Sequence, residues 1–362
     1  MSKGDHLQTL LKNFVDSQQE IEIAFLYSNQ GLLISKYLKE EESSSNTDDS
    51  EGVYGAITTL VDNLLNKISL EYKIGNYGTG SFETADHRIV YVETGSEAIL
   101  MLVCNYNINL NNLFPIAYLV AEKITQLLED SFDFRFNTLG IPNLNIDESI
   151  NIGLENFEIK PAKTIINGVY ADHQIKRTEN VKKMFKLIVL GDAAVGKTTL
   201  VNRFLRKEQI GDYRPTLGIN IATQNYYVQG YKDDIIQFLI FDLAGQEFFK
   251  RVRHEYYTGA NCAFIVYDVT RKDTFNEASN FWFNDARKEL GNIPIVLVGN
   301  KMDLVEQREV STEEGVAEAS KLGCSFIETS ALENLNIQDT FKIVGIGLFF
   351  QSLEDLEDYD EI

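Results

Sequence analysis

Cysteine is scarce in this 362-residue chain. Cys104, Cys262 and Cys324 lie far apart, at spacings that fit neither a metal site nor a redox pair, so each is expected to be a small core residue. No run of 18 apolar residues occurs, and the start, MSKGDHLQTL, has no apolar leader, so neither a spanning helix nor a secretory signal is expected. Positive charge is also in short supply: 33 lysines and arginines stand against 54 acids, for a net charge of -21. A nucleic-acid backbone demands a basic surface, so nucleic acid is excluded as a main partner. The end EDYDEI carries no cysteine for prenylation, and Ser2 rather than glycine follows Met1, so no stable lipid anchor is expected. The expectation is a cytoplasmic protein, peripheral on membranes only through partners.

The negative charge is concentrated. Six acids lie between Glu40 and Glu51 and six more between Leu353 and Ile362, with no base in either stretch, and both read as solvated segments. With 44% apolar and 24% charged residues the remainder has an ordinary globular composition, and the length suits two domains or three. The expected division is 1–130, a connector over 131–183, 184–352, and an acidic tail over 353–362.

The first 130 residues alternate in period. Leu7 to Val15 reads as a short helix. IEIAFLY and LLISKYL read as strands joined through Ser28-Asn29-Gln30-Gly31, where glycine is available for positive φ. Val53, Ile57, Leu60, Leu64 and Ile68 form one helical stripe. Three strands follow, within KIGNYGTGSFET, HRIVYVET and EAILMLVCNY, with turns at Ala85-Asp86 and Thr94-Gly95. Asn112 to Glu129 then closes as an amphipathic helix with Pro115 in its first turn. His87 beside Asp86 reads as a solvated turn and not as a catalytic pair. This order, with Asn29-Gln30-Gly31, Thr94-Gly95-Ser96-Glu97 and LVCNYNINLNNLFPIAYLVAEKI, resembles the roadblock family. An α/β domain on a five-stranded antiparallel sheet is thereby implied, and a longin-type domain is the alternative. Roadblock domains pair with one another and dock on small GTPases, so the resemblance implies a regulatory platform and a homodimer through this region. Over 131–183 periodicity weakens. FDFRF and ENFEIKPAKTIING are candidate strands in an extended connector, and Lys176, Arg177, Lys182 and Lys183 read as a solvated lead-in.

From Met184 nearly continuous apolar strands alternate with helices, which means a mostly parallel sheet covered on both faces, with ligands at the carboxyl ends of its strands. Four motifs fall at those ends. Gly191-Asp192-Ala193-Ala194-Val195-Gly196-Lys197-Thr198, followed by Thr199, is a complete P-loop. Its backbone N–H groups would cradle phosphates, Lys197 would reach the β- and γ-phosphates, and Thr198 would bind Mg²⁺. Asp242-Leu243-Ala244-Gly245-Gln246-Glu247 ends IIQFLIFD. There Asp242 would hold Mg²⁺ through water, and the Gly245 N–H would approach the γ-phosphate. Asn300-Lys301-Met302-Asp303 ends IPIVLVGN. The carboxylate of Asp303 would accept from N1–H and the 2-amino group of guanine, an edge that adenine lacks. Glu328-Thr329-Ser330-Ala331 would offer backbone N–H to guanine O6. Each tetrapeptide alone is weak. All four in this order are not chance.

This half resembles the Ras superfamily of small GTPases, its Rab-like branch above all, through the P-loop, DLAGQE, NKMD, ETSA and REVSTEEG. The resemblance implies an α/β P-loop GTPase fold with a six-stranded, mostly parallel sheet. It implies GTP and GDP with Mg²⁺ as cofactors, hydrolysis of GTP to GDP and phosphate, and effector and regulator proteins as partners. It identifies Tyr213-Arg214-Pro215-Thr216 as switch I, with Thr216 18 residues after Thr198 and bound to Mg²⁺ and the γ-phosphate. Gln246 would orient the attacking water, so Gln246, Lys197 and Thr216 are the catalytic candidates and Thr198, Thr216 and Asp242 the metal ligands. Two positions depart from the family. Ala193 replaces a glycine whose absence obstructs an arginine supplied in trans, and Gln209 replaces an aromatic ring that covers the guanine, with Ile210 as its neighbour. The alternative function is a scaffold that holds nucleotide with little hydrolysis.

Overall fold

The structure, a computed structural model, describes residues 2–39, 79–83, 87–95, 98–142, 164–166, 169–173, 182–206, 219–227, 235–243 and 256–357. The first helix, α1 (Lys3–Ser17), starts earlier than its apolar stripe because Ser2 and Asp5 form a capping box, each side chain accepting from the other residue's backbone N–H. Strands β1 (Ile21–Ser28) and β2 (Leu33–Leu38) form the expected hairpin, with Gly31 at φ 77°. Strands β3 (Thr79–Glu83), β4 (His87–Thr94) and β5 (Ala98–Asn105) and helix α2 (Leu110–Leu128) follow. The stripe from Val53 to Ile68, the acidic loop, Ala85-Asp86 and Ser96-Glu97 lie outside the described residues.

The antiparallel sheet of this unit has seven strands where five were expected. Its order is β2-β1-β5-β4-β3-β7-β6, and the last two, β6 (Thr164–Ile166) and β7 (Val169–His173), come from the segment read as a connector. Strand β3 would otherwise present a row of unpaired backbone groups. Pairing of Gly80, Ser81 and Phe82 with His173, Asp172 and Ala171 satisfies them.

Helix α2 also departs from its expected amphipathic character. It begins two residues earlier than expected, so Pro115 lies in the second turn, and every residue from Ile116 to Ala121 is buried. A helix apolar on all sides is covered on all sides. One side of α2 faces α1 and the sheet, and the other packs on the last helix of the chain.

That second unit comprises β8 (Lys182–Leu190), α3 (Lys197–Phe204), β9 (Ile219–Tyr227), β10 (Ile235–Leu243), β11 (Cys262–Asp268), α4 (Lys272–Glu277), a π turn over Ala278–Trp282, α5 (Phe283–Leu290), β12 (Ile295–Asn300), α6 (Thr312–Leu322), β13 (Ser325–Thr329) and α7 (Ile337–Glu357). Its six strands run in the order β13-β12-β11-β8-β10-β9, all parallel except β9 against β10. The expected mostly parallel sheet is thus present, and every residue of β11 and β12 is buried. Helices α3 and α7 cover one face and α4, α5 and α6 the other. Helix α7 runs to Glu357, so the first half of the acidic tail, read from sequence only as a solvated segment, is helical.

One apolar cluster continues from Leu7 in α1 through α2 to Phe349 in α7. At its centre Phe204 stacks on Phe341 with ring centroids 4.0 Å apart, and Phe238 and Phe264 close around them. Gly345 lets α7 lie against β10: a Cβ there would stand 2.3 Å from Cζ of Phe238. The three cysteines are buried, and burial pushes the thiols of Cys104 and Cys324 up to about 12, as suits core residues. Among the described residues no helix is long and apolar enough to cross a membrane. Because Phe238 is pinned by two aromatic neighbours, Gly345→Ala is expected to destabilise the protein by about 1–3 kcal/mol, read as a lower urea midpoint with an unchanged slope.

Candidate nucleotide site

The carboxyl ends of β8, β10, β11, β12 and β13 form one rim, and the motif residues among the described ones sit there. The loop after β8 depends on two glycines. Gly191 has φ 132°, and a Cβ on it would lie 2.1 Å from the Val266 carbonyl oxygen of β11. Gly196 has φ 100°, and a Cβ there would lie 2.2 Å from Nδ2 of Asn300. Both positions therefore demand glycine for space as well as for backbone conformation. Ala194 takes a left-handed φ of 63° without that excuse, a local strain held by its surroundings. Val195 is buried, and Lys197 opens α3 with its ammonium donating to the Gly191 and Asp192 carbonyls at 2.9 and 2.7 Å. Thr198 and Thr199 follow in the first turn of α3.

Asp242, at the end of β10, is fully buried and accepts from the Thr198 hydroxyl through Oδ2. Its Oδ1 is buried with no hydrogen-bond partner among the described residues. Burial raises its carboxyl above the usual range, and the Thr198 hydrogen bond and the Lys197 charge only partly oppose this. A hydroxyl beside a buried carboxylate with a spare oxygen is a hard-oxygen donor set, and it fits Mg²⁺.

Asn300 ends β12 and is 1% exposed. Its Nδ2 donates to the Val195 carbonyl at 2.8 Å, and its Oδ1 accepts from the Thr329 hydroxyl at 3.2 Å and the Ala331 N–H at 3.1 Å. The phosphate loop, β12 and the loop after β13 are thereby tied at one side chain. The Ala331 N–H, expected to serve a guanine O6, already has an acceptor here, so a base oxygen would share it. The Ser330 N–H is bonded to the Leu335 carbonyl. Asp303 Oδ1 is buried and has no hydrogen-bond partner among the described residues. Lys301 has a left-handed φ of 69° and donates to Asp268 Oδ2 at 2.6 Å. Thr216, Gly245 and Gln246, with Gln209 and Ile210, lie outside the described residues.

With this geometry in view, the matches to known proteins fall where the motifs do. Residues 186–346 match the Ras family. Over 169 residues the chain is 41% identical to the Ras-related protein RABA6a of Arabidopsis thaliana, a match covering 47% of this chain and 71% of that protein. The chain belongs to the Ras family. It is also 40% identical over 167 residues to the GTP-binding protein ypt3 of Schizosaccharomyces pombe, covering 46% of this chain and 76% of the relative. With Ras-related protein Rab-2B of Dictyostelium discoideum the identity is 39% over 168 residues, covering 46% and 81%. The second unit is therefore a Rab-like small GTPase domain.

Several residues that support this Ras-family rim escaped the motif reading. Trp282, carried inward by the π turn, donates Nε1–H to Asp192 Oδ1 at 2.8 Å. Arg271 donates to the Ala193 carbonyl at 3.1 Å and to Asp268. The acid at the end of VYD was the one available signal. Asp268 is 1% exposed and accepts from Lys301, Arg271 and both the N–H and hydroxyl of Thr270. Burial works against its charge, but the Lys301 and Thr270 hydrogen bonds outweigh it and hold the carboxyl below the usual range. A depressed acid stabilises the fold above its unfolded value, about 3.9, and this stability is lost as pH falls through the lower folded value. Asp268→Asn is expected to cost about 1–3 kcal/mol at neutral pH and to flatten the loss of melting temperature below about pH 4, measured by thermal denaturation across pH 2–7.

Proposed function

We propose that the protein is a Mg²⁺-dependent guanine-nucleotide switch that binds GTP and GDP and hydrolyses GTP to GDP and phosphate. The observation that carries this reading is the buried, unpartnered Oδ1 of Asp303. Leaving a carboxylate oxygen buried without a donor is costly, and the paired N–H donors of guanine would relieve that cost where adenine would not. The loop from Gly191 to Thr199 and the N-terminus of α3 would receive the phosphates, with Lys197 moving its donors from loop carbonyls to phosphate oxygens. Thr198 and Asp242, joined by Thr216, would hold Mg²⁺, which neutralises charge on the β- and γ-oxygens when bound. Gln246 would orient the attacking water, and loss of the γ-phosphate would release Thr216 and the segment after Gly245. Effector and regulator proteins would read that change. The name of the relative ypt3, a GTP-binding protein, supports the reading.

Single-turnover assays test it. Native protein loaded with GTP, in the presence of competing ATP, is expected to release phosphate, and Gln246→Leu to slow release by about tenfold or more. No nucleotide-dependent phosphate release from native protein would leave only a nucleotide-holding scaffold.

For the N-terminal unit we propose a roadblock-like regulatory platform over residues 1–130, fused through 131–183 to the GTPase domain at 184–352. Support comes from the order β2-β1-β5-β4-β3 with α1 and α2 packed together, which a longin-type sheet of five strands would also satisfy. A homodimer through this unit belongs to the proposal. Strand β3 is already paired with β7, whereas β2 is a terminal strand of the sheet, and Leu32 just before it and Leu33 and Ile34 within it are exposed. Size-exclusion chromatography with light scattering, in GDP and in a non-hydrolysable GTP analogue, is expected to give a dimer mass, and a monomer in both states overturns this part.

A further inference from the structure

Helix α2 brings two charged side chains into the apolar contact between the units. Lys123, with its side chain 2% exposed, donates to Asp339 Oδ2 at 2.6 Å and to the carbonyls of Thr138 and Gly140 at 2.7 and 3.0 Å. All three ammonium protons are thus used, two of them on the segment that follows α2. Glu122 accepts from Lys342 of α7 at 2.6 Å and from the Tyr226 hydroxyl of β9 at 2.7 Å. Burying ions in an apolar contact is costly unless they are paired, and these pairs, which leave Asp339 Oδ1 buried with no hydrogen-bond partner among the described residues, are specific to one seating of α2 on α7.

One of these partners, Asp339, lies next to the loop that would read the base. Asp339 is in the first turn of α7, immediately after the loop Ser330–Asn336. Within that loop Asn334 donates Nδ2–H to the Arg135 carbonyl, in the segment that follows α2, at 2.8 Å. Arg203 of α3 donates to the Ala331 and Leu332 carbonyls at 3.0 and 2.9 Å. Gln338 in turn donates to the Arg203 and Phe204 carbonyls. The loop is therefore tied both to the phosphate-binding helix and to the segment that follows α2.

We infer that Lys123 and the Arg135 carbonyl are positioning elements of the guanine site. The N-terminal unit holds the loop Ser330–Asn336 and the start of α7 in place, and so sets how long a guanine nucleotide stays bound. The inference rests on the guanine-nucleotide reading proposed above. Its chemistry is local to the base end, whereas hydrolysis depends on Gln246 and Thr216 at the γ-phosphate end, so the two readouts separate.

The full chain loaded with fluorescent GDP and chased with unlabelled GDP gives the dissociation rate, and preloaded GTP gives single-turnover hydrolysis. Asn334→Gly removes the cross-unit bond while keeping a residue suited to its left-handed φ of 57°. Lys123→Met removes the buried cation and leaves Asp339 unpaired. Both are expected to release GDP about tenfold faster, with hydrolysis of bound GTP unchanged within about twofold. Native-rate release from Asn334→Gly overturns the inference, and that variant decides alone if Lys123→Met fails to fold. Faster release with an equal fall in hydrolysis marks general loosening and also overturns it. A native chain that takes up no fluorescent GDP refutes the nucleotide reading itself, before any variant is compared.

Discussion

Asn300 joins the two halves of the nucleotide rim, and the rest of the site depends on what its amide can reach. Its Nδ2 comes within hydrogen-bond distance of the Val195 carbonyl only because Gly196 has no Cβ. Its Oδ1 collects the Thr329 hydroxyl and the Ala331 N–H. A buried amide that satisfies donors and acceptors on three separate segments is worth more than its separate bonds, because removing it would orphan several buried groups at once. Phosphate loop and base loop are consequently one rigid object. The orphaned oxygens of Asp242 and Asp303 lie on this pre-organised frame, which is the condition under which unpaired carboxylates become binding groups instead of defects.

Behind the rim, the aromatic cluster of Phe204, Phe238, Phe264 and Phe341 fastens α3 and α7 to the sheet. Helix α7 then serves two cores. One side meets β8 and β10 and the other meets α2. The contact is an unbroken apolar cluster with buried ion pairs, the composition of a domain interior, and unlike the wet, polar contacts through which domains meet transiently. The N-terminal unit is thus packed into the same body as the loop Ser330–Asn336.

Features written into local sequence were legible, and those made by distant contacts were not. The parallel sheet followed from continuous apolar strands, and the candidate site residues from glycine and acid spacing at strand ends, because each motif is a few residues long. Asp268, Arg271 and Trp282 were missed because their partners are 33, 78 and 90 residues away. The β6–β7 hairpin was read as a connector since its strands are three and five residues long and their pairing partner is β3. In α2 the signal was present but misjudged. IAYLVA is apolar in every direction, a pattern that requires cover on both sides, yet the helix was taken as amphipathic because its flanks carry polar residues.

The buried charges of α2 show why the second unit was needed to interpret the first. Within residues 1–130 alone, Glu122 and Lys123 are an ordinary pair on a polar flank. Their partners Lys342 and Asp339 are 220 and 216 residues away, in the last helix of the Ras-family domain. Apolar side chains of similar volume would give comparable or greater stability at such a contact, so the retained charges are better understood as fixing one register of α2 on α7. A single register matters because Asn334 lies in the loop that would read the base and Asp339 follows directly after it. Sliding α2 along α7 would move both anchors at once, and the buried ions make every such slide costly. Specific docking of α2 and the placing of the loop that would read the base are therefore one constraint under the proposal.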